Sequence, residues 1–165
     1  MTRLTTIDTR FWRMIRIPYQ RDPLSGEGAR LYGGRWNPKG MPALYLGAGH
    51  DVAIAEYYRG LPKPGTLVPY TIRSDAIADL SDASGPEVAE ALACDWILQM
   101  RAGETPPSWV LAEHWTGEGA HGALIPSAQQ RGGTSLVLWR WHDAACGGEG
   151  ASVTLQDPMG DLLRH

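Results

Sequence analysis

The chain has 165 residues, 43% of them hydrophobic and 20% charged, with a formal net charge of −3 at pH 7, which is enough for one domain, residues 1–165, with its own hydrophobic core. Lysines and arginines are outnumbered and scattered, so there is no electrostatic footprint for direct nucleic-acid binding, and an anionic ligand would have to be held locally. No window approaches the length of a transmembrane helix, and the N-terminal MTRLTTIDTRFWRMIRI lacks the unbroken apolar run of a signal peptide.

No membrane association and a cytoplasmic location are the resulting expectations. Cys94 and Cys146 are the two cysteines. They show no metal-ligand spacing and read as reduced structural thiols, with nothing to support a disulfide.

In chain order, Phe11–Ile17 reads as a first strand in which arginines interrupt an apolar run. Tyr19–Gly34 reads as a glycine-rich, charged loop, and Pro42–Leu46 as a short buried strand. His50–Arg59 has the composition of a helix, with Asp51 in its first turn and Gly60 and Pro62 to stop it. Thr66–Ile72 alternates as a strand, and Pro69 within it argues for an edge or a bulge.

The strongest helical pattern runs from Ser84 to Ala102. Ser84 can cap it, Pro86 sits near its first turn, and Val88, Leu92, Trp96 and Met100 recur every four residues. Pro107–His114 predicts a further helix, and Ala123–Pro126, Ser135–Trp141 and Ser152–Leu155 further strands. The chain thus reads as α+β, with about six strands and three helices.

Seven tryptophans stand against one phenylalanine. Trp12, Trp96, Trp109, Trp115, Trp139 and Trp141 lie in apolar runs, so core or subunit interface is their expected place. Trp36 differs, because it follows a double glycine and precedes Asn37-Pro38.

The densest chemical signal is Gly26–Glu56, GEGARLYGGRWNPKGMPALYLGAGHDVAIAE, with seven glycines and two arginines. Glycine at that density lets a backbone approach a ligand closely, and arginine beside it offers a planar fork of donors to phosphate oxygens. The stretch reads as a ligand cradle with a carboxylate at its end.

Familiar nucleotide motifs do not account for it. A dinucleotide fingerprint would need a third glycine opening a helix and an acidic residue about 20 positions later, and Gly26-Glu27-Gly28 lacks that glycine. Lys39-Gly40 is in the wrong order for a P-loop. His114 and His121 flank Glu118 without a compact zinc spacing, so no metal is expected. No G-x-S-x-G nucleophile elbow is present. Ser127, in Ile125-Pro126-Ser127-Ala128, is by itself as well explained by a turn. Glu56 follows the small apolar Val52-Ala53-Ile54-Ala55, where a carboxylate is costly unless paired or used. Taken alone, Glu56 is better explained by a surface ion pair with Arg59 or another arginine.

Taken together, Gly33-Gly34-Arg35-Trp36-Asn37-Pro38-Lys39-Gly40, Pro42-Ala43-Leu44-Tyr45-Leu46, Ala53-Ile54-Ala55-Glu56 and Ile125-Pro126-Ser127-Ala128 resemble the RES domain, named for an arginine, a glutamate and a serine. The likeness runs from the Trp12-Arg13 strand to the Leu155–Pro158 region.

The resemblance implies a toxin of a bacterial type II toxin–antitoxin pair, neutralised by an Xre-like antitoxin. It implies an ADP-ribosyltransferase-like fold, a split and bent β-core with short flanking helices, and NAD+ as the substrate consumed. The nicotinamide–ribose bond would be cleaved by water (glycohydrolase) or inorganic phosphate (phosphorylase). Alternatively, ADP-ribose would pass to a protein acceptor. A catalytically silent antitoxin-binding module is the third reading.

On this resemblance Glu56 would stabilise the oxocarbenium-like ribose, Arg35 would bind a phosphate, Tyr45 would stack on nicotinamide, and Ser127 would hydrogen-bond the amide or ribose. Arg30 and Asn37 are second-rank candidates for phosphate or ribose contacts.

Overall fold

A computed structural model describes residues 3–81 and 85–163. It shows a mixed α/β fold. The strands are β1 (Leu4–Ile15), β2 (Leu44–Gly47), β3 (Thr66–Asp79), β4 (Gly122–Pro126), β5 (Thr134–Leu138), β6 (Trp141–Asp143) and β7 (Ala151–Leu155). The helices are α1 (Glu27–Tyr32), α2 (His50–Tyr58), α3 (Pro86–Ala93), α4 (Trp96–Arg101) and α5 (Pro107–Gly117). Among the described residues, no helix is long and apolar enough to cross a membrane.

All seven strands join one sheet in the order β1-β2-β5-β4-β3-β7-β6, with a further pairing of β1 to β3. That last pairing makes the sheet close on itself through β1, β2, β5, β4 and β3. The two long strands, β1 and β3, run antiparallel along nearly their whole length, from Leu4 opposite Ala78 to Ile15 opposite Thr66. The β1–β2 contact is a single pairing, Trp12 with Gly47, so the ring is weakly sewn at that seam.

Alternation along β5 and β2 divides the interior into two cores, because successive side chains point to opposite faces. Leu136 and Leu138 join an aliphatic cluster with Phe11, Ile15, Leu44, Leu46, Val68 and Ile72. Val137 and Trp139 face a second cluster containing Trp36, Trp115, Val88, Ala91 and Ala112. Helix α5 contributes to that side through Ser108, Leu111, Ala112 and Trp115, one helical stripe.

Several elements differ from the sequence expectation. The predicted Tyr19–Gly34 loop contains α1, preceded by a 3-10 turn over Ile17–Tyr19. The predicted Ser84–Ala102 helix is two helices; Cys94 is extended (φ −68°, ψ 144°), and Asp95 accepts a hydrogen bond from the Leu98 N–H at 3.0 Å. A short polar side chain that caps a new helix start competes with continuing the old one. The Ser84 cap lies outside the described residues.

Pro69 is not on an edge strand, since β3 pairs with β1, β7 and β4. Its carbonyl accepts from the Gln156 N–H at 3.0 Å, and in a strand the N and O of one residue face the same way. The missing donor therefore points just past the end of β7, and the β1 ladder is untouched.

Candidate active site

The residues between α1 and β2 are shaped by contacts rather than by regular structure. Gly33 ends α1 at φ 73°, a left-handed conformation that favours glycine. Gly34 is demanded sterically, because a Cβ there would fall 2.5 Å from Asn37 Oδ1 and 2.6 Å from the Tyr45 hydroxyl.

The Tyr45 hydroxyl donates to Asn37 Oδ1 (2.6 Å) and accepts the Trp36 N–H (3.0 Å). Asn37 is fully buried, and its amide nitrogen donates to the carbonyls of Ala29 (2.8 Å), Met41 (3.0 Å) and Pro38 (3.2 Å). Burial pushes the Tyr45 hydroxyl well above the ordinary tyrosine range; the Trp36 N–H and the charges of Arg35 and Arg59 oppose that rise without cancelling it. The Tyr45 hydroxyl is thus held in its protonated form between Asn37 Oδ1 and the Trp36 N–H.

Two tryptophans clamp the same segment, the indole N–H groups of Trp109 and Trp139 donating to the carbonyls of Gly34 (2.7 Å) and Trp36 (2.9 Å); Trp141 donates to the Leu24 carbonyl (2.9 Å), ahead of α1. Trp36 is buried and stacks on Trp115 with ring centroids 6.4 Å apart.

Beside this segment opens a cavity of about 560 Å³, lined by Arg35, Tyr45 and Glu56 among others, a size in the range of small-molecule and cofactor sites. Arg35 is fixed by its Nη2, which donates to the Leu92 carbonyl in the last turn of α3 at 2.9 Å, and its guanidinium lies 5.6 Å from the Trp36 ring centroid. Those contacts satisfy an orphan helix carbonyl, and among the described residues the other guanidinium donors have no hydrogen-bond partner, so they can take an anion.

Glu56, on α2, reaches the turn that follows β4. Its Oε1 accepts from Ser127 Oγ (2.5 Å), the Ala128 N–H (2.9 Å) and the Gln129 N–H (3.3 Å). Ser127 Oγ in turn accepts from the Gln130 N–H at 3.0 Å, so serine and turn form one rigid carboxylate holder. Among the described residues Oε2 has no hydrogen-bond partner, and no ion pair joins Glu56 to Arg59. A carboxylate fixed through one oxygen with the other open is suited to stabilising positive charge that develops on a ligand.

A family model described as RES domain matches residues 10–156. The chain belongs to the RES domain family. It is 31% identical over 135 residues to the NAD(+) phosphorylase MbcT of Mycobacterium tuberculosis, across 72% of this chain and 66% of that protein. It is 32% identical over 83 residues to the Prs ADP-ribosylating toxin of a Sphingobium species, across 46% of this chain and 52% of the other. The chain thus spans about two thirds of the length of the mycobacterial relative. In structure it is similar to a chain in the crystal of the M. tuberculosis MbcT–MbcA toxin–antitoxin complex, with a TM-score of 0.61, 22% identity, and coverage of 93% of this chain and 84% of that one. The fold is shared at that level.

Within this RES domain the four first-rank residues converge. Arg35, Tyr45 and Glu56 line the cavity, and Ser127 touches it through Glu56. The two second-rank residues are elsewhere. Arg30 is not in the lining and forms a bidentate pair with Glu27, its Nη2 2.8 Å from Glu27 Oε2. Asn37 is buried behind Tyr45 and its side-chain polar atoms are committed to protein.

The cavity also takes in residues the sequence reading did not single out for it: Arg13, Arg59, Trp12 and Trp96. Trp12 and Trp96 are half-buried where core positions were expected, while Trp109, Trp115 and Trp139 are buried. An arginine set between Trp12 and Met14 in the apolar end of β1 is the available signal for Arg13. Trp96 reaches the cavity because the chain breaks at Cys94–Asp95, which periodicity does not reveal. Of the two loop histidines, His121 hydrogen-bonds Ser74 (2.9 Å) and His114 lies 3.4 Å from Glu118. Cys94 and Cys146 are both unpaired thiols.

Proposed function

We propose that this RES domain is the toxin of a type II toxin–antitoxin pair and that it consumes NAD+ by cleaving the nicotinamide–ribose bond, as a glycohydrolase or phosphorylase. The observation that carries the reading is Glu56: a carboxylate tethered through one oxygen by Ser127 and two backbone N–H groups, on the wall of a cavity that also presents Arg35 and Tyr45. The names of the relatives, an NAD(+) phosphorylase and an ADP-ribosylating toxin, point to the same bond.

As neutral nicotinamide leaves, positive charge develops on the ribose, and the Glu56 carboxylate stabilises it. Arg35 holds a phosphate group of the dinucleotide. The Tyr45 ring, braced from behind through its hydroxyl, positions the nicotinamide. Ser127 acts by fixing Glu56, which differs from a direct contact to the amide. The residues require no metal for these roles. The ring-closed sheet with short helices on its outside is the form this family's kinship to ADP-ribosyltransferases would take. An Xre-like antitoxin covering the cavity entrance completes the assignment; the complex formed by the structural neighbour supports a cognate partner.

A transferase that passes ADP-ribose to a protein is the second reading, favoured by the name of the Sphingobium relative. Incubation of the purified chain with NAD+, with and without inorganic phosphate, decides between them. ADP-ribose or ADP-ribose 1″-phosphate among the products supports NAD+ breakdown. Labelled protein in a lysate, with free NAD+ untouched, supports transfer. Neither product, together with growth of a bacterial host expressing the chain without antitoxin, leaves a silent binding module.

A further inference from the structure

We propose that Arg59 is a phosphate-binding residue of this cavity, holding either the pyrophosphate of the dinucleotide or an incoming inorganic phosphate from the helix that carries Glu56. The inference deepens the NAD+ reading above and rests on it for the choice of ligand.

Three arginines and one glutamate line the cavity, in a chain whose net charge is −3. The cavity is thus locally cationic against the sign of the molecule, as a site for a polyanion requires. Two of the arginines are already engaged. Arg13 donates to the carbonyls of Pro23 (2.9 Å) and Ser25 (3.5 Å), and Arg35 donates to that of Leu92. The Arg59 guanidinium has no hydrogen bond or ion pair among the described residues.

Arg59 lies three positions beyond Glu56, the spacing at which a helical pair ordinarily forms. The Ser127 turn takes up the carboxylate instead, so an anion and a cation one turn apart remain separately available. The backbone is equally telling. Arg59 closes α2 in the left-handed region (φ 47°, ψ 44°), donating its N–H to the Ala55 carbonyl at 2.9 Å, and it is the one non-glycine residue at positive φ among those described. Glycine normally takes that helix-ending role. The helix dipole accounts for a positive charge at this end, but not for a cavity-lining arginine in a backbone conformation that favours glycine, which is a pattern of functional sites.

If the bound group is the acceptor, the step is balanced without any further reactant. A phosphate oxygen lone pair forms the new bond to C1″ of the ribose as the C1″–N pair departs onto nicotinamide and neutralises its ring. The product is ADP-ribose 1″-phosphate.

Arg59→Gly suits the observed φ, so it should fold with an unchanged melting temperature. Its initial rates are measured against NAD+ at fixed phosphate and against phosphate at fixed NAD+, beside Arg59→Lys and a surface control, Arg73→Met. We expect one KM to rise about tenfold or more in Arg59→Gly, the size of a lost charge-assisted hydrogen bond, with partial recovery in Arg59→Lys and no change in the control. A rise in KM for NAD+ assigns the pyrophosphate, and a rise confined to phosphate assigns the acceptor. Both KM values unchanged overturns the proposal. Calorimetric titration of the wild type and Arg59→Gly with inorganic pyrophosphate and with phosphate gives a readout free of turnover. If the wild type cleaves no NAD+, the functional reading fails, and Arg59 stands or falls on whether Arg59→Gly weakens those titrations.

Discussion

The glycine-rich segment 33–37 and the Glu56–Ser127 corner border one cavity but commit their polar groups in opposite ways. In the first, the Tyr45 hydroxyl, the Asn37 amide and the carbonyls of Gly34 and Trp36 all have protein partners, three of them within 2.8 Å. In the second, one carboxylate oxygen takes three donors while the other takes none among the described residues. Apart from Arg35 and the buried Trp36 indole N–H, which has no partner among the described residues, the polar groups of this segment build its shape, and its glycines admit that shape. On the proposed function, chemistry falls to groups with unused capacity, Glu56 Oε2 and the cavity arginines. The number of polar residues in a motif is thus a poor guide to which of them meet the ligand.

The contrast predicts different failures on the two sides. Glu56→Gln keeps an oxygen to accept from Ser127 and the Ala128 N–H, so folding should survive. It removes the charge, and NAD+ cleavage should fall by about 10²–10³ or more. A folded Glu56→Gln protein with full turnover would show that the carboxylate is scaffold as well. Gly34→Ala should fail as a structure. Its Cβ would overlap Asn37 Oδ1 and the Tyr45 hydroxyl, and such overpacking typically costs about 1–3 kcal/mol. A thermal melt should show a drop of roughly 2–12 °C at the scaling expected for this size, with activity lost in proportion to the displaced segment.

Legibility in the sequence follows the same division. Glycines, Arg35, Tyr45 and Glu56 were readable because they cluster within about one helix and one strand of each other, where local spacing implies proximity. Ser127 is 71 residues from Glu56, and only the family likeness placed it. The sequence offers Arg59 or another arginine as a surface partner for Glu56; in the structure the Ser127 turn takes the carboxylate with three donors instead. The two halves of the 84–102 pattern keep one apolar spacing, so periodicity could not locate the break that Asp95 makes by capping α4. The sequence places the tryptophans by hydrophobicity alone. Their indole N–H groups do the clamping, and a donor's target is a tertiary fact that composition does not carry.

Tyr45→Phe separates scaffold from chemistry within one residue. It leaves the Trp36 N–H and Asn37 Oδ1 without their partner, a loss of about 1–3 kcal/mol in stability for buried polar groups, yet it keeps the ring against the cavity. Denaturant titration should register that loss, while the folded enzyme retains turnover within about tenfold of the wild type. A large rate defect at unchanged stability would move the hydroxyl from scaffold to chemistry.

The smallest effect concerns alkaline pH and the same hydroxyl. Burial raises the folded-state pKa of Tyr45 above its ordinary value. A group raised in this way contributes stability that is fully present below the unfolded pKa, near 10, and is lost as pH rises toward the folded one. The unfolded chain then releases a proton that the folded protein still holds. Between pH 9 and 10.5 that difference amounts to about 0.8 kcal/mol for one tyrosine. Tyr70, also raised by burial, contributes in the same direction and is present in both proteins. Wild type should therefore lose about 0.8 kcal/mol more than Tyr45→Phe over that interval in urea titrations. Parallel losses in the two proteins would mean that the hydroxyl ionises as freely in the fold as in water, and that segment 33–37 opens readily rather than standing as a fixed wall.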